Sequence, residues 1–181
     1  MMFATKQRKS FLRFTKQNHS MKICCISDIH GSLPQVEPCD MLIISGDICG
    51  HKMFREGYSP GSPQDMTFQS AWLDNEFREW IDKIAAKDII ATPGNHDFVF
   101  ERARHLIPPD LRWHLLIDDL KIVQGKKVYG SPWQRFFGGW AFNAPNGDED
   151  EVMIKDLAKK YAQVSEYTFL SDSLLKFSSL C

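Results

Sequence analysis

The chain has 181 residues, with 22 lysines and arginines against 23 aspartates and glutamates and a formal net charge of -1. That length buries one sizeable core and is too short for two comfortable domains. The balanced charge offers no global field for a nucleic-acid duplex or an anionic membrane, and no apolar run approaches the ~20 residues of a membrane span.

Residues 1–20 stand apart. They hold Lys6, Arg8, Lys9, Arg13 and Lys16 with no acidic residue and no continuous apolar stretch, which argues against a secretory signal. The expectation is a disordered basic extension, with Met21 opening the folded part; a transit-like segment directing the chain to an organelle is the alternative. The five cysteines contain no CxxC pair, and Cys24 and Cys25, adjacent in a strand, point to opposite faces. Reduced, buried thiols in a cytoplasmic protein are expected.

Three short apolar runs follow: Lys22 to Ser27 (KICCIS), Met41 to Ser45 (MLIIS) and Ile89 to Thr92 (IIAT). None alternates with polar residues, the pattern of strands covered on both faces. Between the second and third, Leu73, Phe77, Trp80, Ile81 and Ile84 recur at helical spacing and predict a helix from near Asp65 that covers the sheet. His51 to Pro63 carries two glycines and two prolines without periodicity and reads as a surface loop. Lys121–Gln124 and Lys127–Gly130, separated by a glycine, predict a hairpin or strand pair. The fold class is α/β with mixed strand direction.

Each covered strand is followed by a polar cluster: Asp28-Ile29-His30, Gly46-Asp47 and Gly94-Asn95-His96-Asp97. In open α/β sheets ligands bind beyond the carboxyl ends of the strands, so these clusters converge. Taken singly, the aspartates read as turn formers or caps and the histidines as surface groups. Together they read as a site for two divalent cations, manganese favoured and iron, zinc or magnesium possible, able to polarise a phosphoryl group and acidify a water.

At these residues the sequence resembles the calcineurin-like metallophosphoesterase family, over roughly Lys22 to Asp148. The resemblance implies a β-sandwich flanked by helices. It also implies that Asp28 and His30 bind the first metal, Asp47 bridges both, Asn95 binds the second and His96 assists the leaving group. The run Tyr129-Gly130-Ser131-Pro132-Trp133, with Phe137, Gly139-Trp140 and Phe142-Asn143, is similar to the small metallophosphoesterase-domain branch, which implies hydrolysis of phosphodiesters of cyclic-nucleotide or aryl type. The aromatic cluster Trp133, Phe136, Phe137, Trp140 and Phe142 reads either as packing or as a wall for a base or aryl group, with Trp133 and Trp140 the candidate substrate contacts.

The family completes its site with a histidine in a Ser/Thr-His-Gly-Pro segment and another in a Gly-His-x-His segment, and this sequence has neither; its last histidine is His114. The corresponding strand would fall at Tyr167 to Ser171. That puts Asp172 at the histidine's place, where a lone carboxylate in a serine-rich tail reads as solvated. The resulting division is a basic extension over 1–20, the N-terminal portion of a metallophosphoesterase domain over 21–150 and a divergent tail over 151–181. A small phosphoester is the expected partner, and a fold-retaining binding protein or degenerate fragment without turnover is the alternative.

Overall fold

The computed structural model describes residues 20–51, 59–144 and the backbone of 167–170. The predicted basic extension, the segment 52–58, most of the tail and Asp172 lie outside the described residues. Among the described residues no helix is long and apolar enough to cross a membrane.

Strands β1 (Ile23–Ser27), β2 (Cys39–Ser45), β3 (Ala86–Thr92) and β4 (His114–Leu115) form a parallel sheet in that order. A second sheet takes β5 (Asp119–Val123), β6 (Lys126–Gly130) and β7 (Tyr167–Leu170), with β5 antiparallel and β7 parallel to β6. The predicted strand near Tyr167 is therefore present, and its partner is β6.

Alternation along β2 explains how the layers stack. Met41 and Ile43 join Ile90, Leu116, Val123 and Val128 in a buried cluster drawn from both sheets. Leu42 and Ile44 turn the other way and pack with Ile89 and Ala91 against the helical layer. Both faces of β2 are thus covered, which is why its sequence shows no polar alternation. β1 departs from that expectation. It is an edge strand among the described residues, with Ile23 43% exposed and Cys25 exposed as well. Of the described cysteines, all free, only Cys49 is fully buried, so the expectation of buried thiols holds there alone.

The predicted helix begins at Pro63, two residues before Asp65. Ser62 caps it, its side chain accepting from the Asp65 N–H at 3.2 Å, and proline occupies the first turn where no N–H is needed. α1 (Pro63–Trp72) runs through a π-turn (Leu73–Phe77) into α2 (Arg78–Lys83). Leu73, Phe77 and Ile81 are fully buried against the sheet, each burial contributing about 1.5–3 kcal/mol. The π-turn inserts an extra residue per turn. Before it, α1 buries Asp65, Gln69 and Trp72, and the π-turn itself buries Leu73 and Phe77. Trp80, half-buried, donates its indole N–H to the Pro34 carbonyl at 2.9 Å and ties down the segment after β1.

The β5–β6 hairpin closes through Gln124 and Gly125, with φ of 49° and 77°. Two consecutive left-handed residues make the tight turn that matches strand twist. A Cβ at Gly125 would meet nothing within 4 Å, so Gly125→Ala isolates the backbone cost. It is expected to lower stability by about 1 kcal/mol, read from the urea midpoint, and an unchanged midpoint would refute this account of the turn.

Candidate metal centre

Register brings the three polar clusters to one level. Ser27 pairs with Ser45 and Ser45 with Thr92, so β1, β2 and β3 end side by side. Beyond those ends Asp28, His30 and Asp47 all adopt positive φ, of 52°, 44° and 44°. A left-handed conformation strains a residue bearing a Cβ and clusters at functional sites. Here backbone bonds enforce it: the Asp28 N–H donates to the Gly46 carbonyl at 3.3 Å, the His30 N–H to Asp47 at 2.8 Å and the Gly31 N–H to Ile48 at 3.0 Å. The two loops pass so close that a Cβ on Gly31 would lie 3.1 Å from the Gly50 backbone.

Asp47 is buried and links the clusters. Its Oδ1 accepts the His96 N–H at 2.8 Å, and Oδ2 lies 3.5 Å from His30 Nε2. Ligand atoms of His30, Asp47 and His96 all lie within 4.8 Å of one another. Asp28, exposed at the end of β1, is near enough for its charge to act on His96. Asn95 is half-buried beside His96, and its backbone carbonyl accepts the Ala141 N–H at 2.9 Å.

The donor set combines carboxylate, imidazole and amide oxygen, a mixture that suits divalent cations of intermediate hardness. Together with the enforced strain, it fits the residues to such ions. His30 and Asp47, with Asp28 and Asn95 at the adjoining strand ends, would hold them. Bound there, divalent ions supply positive charge that polarises a phosphoryl group and acidifies an attacking water.

Asp97 anchors the third cluster to the second. Fully buried, it accepts the N–H groups of Ile48 at 2.9 Å, Cys49 at 2.7 Å and Gly94 at 2.8 Å. Burial pushes its carboxyl up to about 6, opposed by these three donors. Gln69 supports the same turn from α1, donating to the His96 carbonyl at 2.8 Å and accepting the Val99 N–H at 3.0 Å. Burial also lowers His96 to about 4, with His30 and His51 acting in the same direction.

His51 is not the surface loop residue its setting suggests. Its side chain is 2% exposed. Nε2 lies 2.8 Å from His96 Nδ1, and Nδ1 lies 3.1 Å from Oδ2 of the fully buried Asp65. Neither His51 nor Asp65 nor Gln69 stands out as a site residue in the sequence. The Ser-Pro-x-Asp start of α1 reveals only that Asp65 begins a helix.

The two candidate substrate tryptophans occupy different surroundings. Trp133 gives its indole N–H to Asp118, which also accepts from Ser131 at 2.8 Å and Tyr129 at 3.2 Å, and its ring meets buried Phe142 edge-on at 5.7 Å. Trp140 lies against His96, with ring centroids 4.0 Å apart. A cavity of about 680 Å³ opens beside His30 and His96, walled by Leu33, Phe68 and Trp72 with Glu76 at its rim. No lysine or arginine is among its lining residues within the described part of the chain.

Residues 21–172 match the family described as Calcineurin-like phosphoesterase, and the chain belongs to that family. Metallophosphoesterase domain-containing protein 1 of Homo sapiens and of Mus musculus are each 27% identical over 152 residues, covering 70% of this chain and 41% of theirs. A probable rhamnogalacturonate lyase C of Emericella nidulans is 27% identical over 154 residues, covering 78% of this chain but 13% of that protein. The chain thus spans less than half the length of these relatives. The family is one of metal-dependent phosphoesterases, hydrolases acting on phosphoesters.

Proposed function

We propose that the chain hydrolyses phosphodiesters of aryl or cyclic-nucleotide type, with two divalent ions, manganese first among them, at the ends of β1, β2 and β3. The observation that carries this reading is the cavity beside His30 and His96, whose aromatic walls Phe68 and Trp72, with Glu76 the charged residue among its described lining, favour one apolar substituent and a single negative charge. A phosphomonoester, carrying a second charge and no second substituent, gains less there. Stacking on an aromatic side chain is worth about 1–3 kcal/mol per base. Trp72→Ala is therefore expected to raise KM for an aryl phosphodiester roughly tenfold or more, with a smaller effect on the matching monoester. Steady-state kinetics with manganese check this, and a monoester preferred over the diester would refute it. The free cysteines support a reducing, cytoplasmic setting.

Turnover is expected to be weak. Within these 181 residues Asn95 and Asp47 are the side chains that the family resemblance assigns to the second ion, and the two later histidine segments of the resemblance are not among them. That same feature favours a second reading, a binding protein that keeps the fold without the chemistry. A chimera given a Ser-His-Gly-Pro and a Gly-His-x-His segment separates them: a marked gain in rate over the 181-residue chain supports the impaired hydrolase, and equal rates refute the missing ligands as the limit.

A further inference from the structure

We infer that the cavity wall of Phe68, Trp72 and Glu76 recognises a quaternary ammonium group on one substituent of the phosphodiester. Building on the hydrolase reading, this adds the charge and chemical class of the alcohol that stays on phosphorus.

The wall is one side of the helical layer. Phe68 and Trp72 stand four residues apart in α1, and Glu76 follows four residues later in the π-turn. Residues at that spacing are neighbours on a helix surface. All three line the cavity of about 680 Å³ that also borders His30 and His96, and Leu33 adds aliphatic surface to it. A phosphate held at the His30 and His96 end can extend one substituent along two aromatic rings toward a carboxylate. The acidic neighbours of Glu76 are engaged elsewhere: Asp74 pairs with Arg78 at 2.8 Å and Glu79 with Lys83 at 3.6 Å.

Substituents of different charge meet this wall differently. A neutral aryl or alkyl group gains contact with the rings and nothing from Glu76, and an anionic one is repelled. A cation gains from both, because ring faces attract positive charge and the carboxylate adds to that attraction. Among cations, a primary ammonium carries three N–H donors that need acceptors. The side chains of Leu33, Phe68 and Trp72 supply none. A quaternary ammonium has no N–H and is satisfied by ring faces and a nearby negative charge. Choline is the simplest alcohol of this kind.

Two measurements test this, and the first needs neither metal nor turnover. In an NMR titration of the metal-free chain followed at the Trp72 indole N–H, choline should bind roughly tenfold more tightly than 3,3-dimethylbutan-1-ol, its uncharged isostere. Glu76→Gln should cut that preference to about threefold or less. Glu79→Gln, whose carboxylate is paired with Lys83 on the surface, should keep it. Equal affinities for the two alcohols in the wild-type chain, or a preference unchanged by Glu76→Gln, would overturn the inference.

The second measurement uses manganese-loaded protein and the p-nitrophenyl phosphodiesters of the same two alcohols. The oxygen of water bonds to phosphorus and the bond to the aryl oxygen breaks with its electron pair, so the choline ester yields p-nitrophenolate, phosphorylcholine and a proton. Its kcat/KM should be roughly tenfold higher than that of the dimethylbutyl ester, and equal values would overturn the inference. The ammonium alcohol reaches a protein in a soluble diester or as a lipid headgroup, and competition separates the two. Slowing by glycerophosphocholine alone assigns the soluble form, and slowing by phosphatidylcholine vesicles alone assigns the headgroup. Competition by neither would overturn the ammonium wall. A chain that cleaves neither p-nitrophenyl ester but prefers choline in the titration retains the wall and refutes the hydrolase reading.

Discussion

Asp47→Ala is expected to remove most of the thermal stabilisation that manganese confers on the wild-type chain. An ion that binds only the folded state stabilises it by mass action, about 2.7 kcal/mol at a free concentration 100 times its dissociation constant. For a chain of this size that corresponds to a rise of roughly 5–10 °C in Tm. Asp47 is the residue to remove because it joins the clusters, with Oδ1 on the His96 N–H and Oδ2 3.5 Å from His30. Its loss leaves His30 facing no carboxylate from β2 and frees the turn that carries Asn95 and His96. Thermal melts of both proteins with manganese and with chelator supply the comparison. An equal manganese shift in the variant would place the ion elsewhere.

The second large effect is expected at Asp97 and concerns the fold of the metal-free protein. Asp97→Ala leaves three backbone N–H groups, of Ile48, Cys49 and Gly94, without their acceptor in a fully buried place. Leaving a buried donor unsatisfied costs about 1–3 kcal/mol. Relief from burying the carboxylate offsets part of this, so the expected net loss is about 3 kcal/mol. Asp97→Asn keeps one acceptor oxygen but turns an amide N–H₂ toward a donor, and about 2 kcal/mol is expected. Urea denaturation in chelator measures both, and an alanine variant as stable as wild type would refute the structural role assigned to Asp97.

Legibility in the sequence followed how local the determining physics is. β2 and β3 were readable because both faces of each meet apolar layers, and such strands become continuous apolar runs. The same argument misjudged β1, since the run KICCIS does not say whether a neighbour covers its outer side, and Ile23 lies exposed at the sheet edge. The hairpin was readable from Gly125 and its flanking strands. The π-turn was not: Leu73, Phe77 and Ile81 recur every four residues, a spacing that an ordinary α-helix shows as well.

The positions of Asp28, His30, Asp47, Asn95 and His96 at one end of the sheet were legible because each stands just beyond a strand, where the topology of the sheet decides where it goes. His51 and Asp65 were not. Their contact spans 14 residues rich in glycine and proline, a composition that reports a loop and not which side chains it buries. The aromatic cluster was readable as a cluster only. Phe142 is buried, Phe136 and Phe137 are exposed, and Trp140 lies on His96, a division set by packing against other elements.

The most direct test of the metal centre is manganese-dependent hydrolysis of bis(p-nitrophenyl) phosphate by the 181-residue chain. The expected result is no hydrolysis after chelation, a weak rate restored by manganese, and no restoration in Asp47→Ala. A rate indifferent to chelation, or equal in wild type and Asp47→Ala, would contradict a metal centre at the ends of β1, β2 and β3.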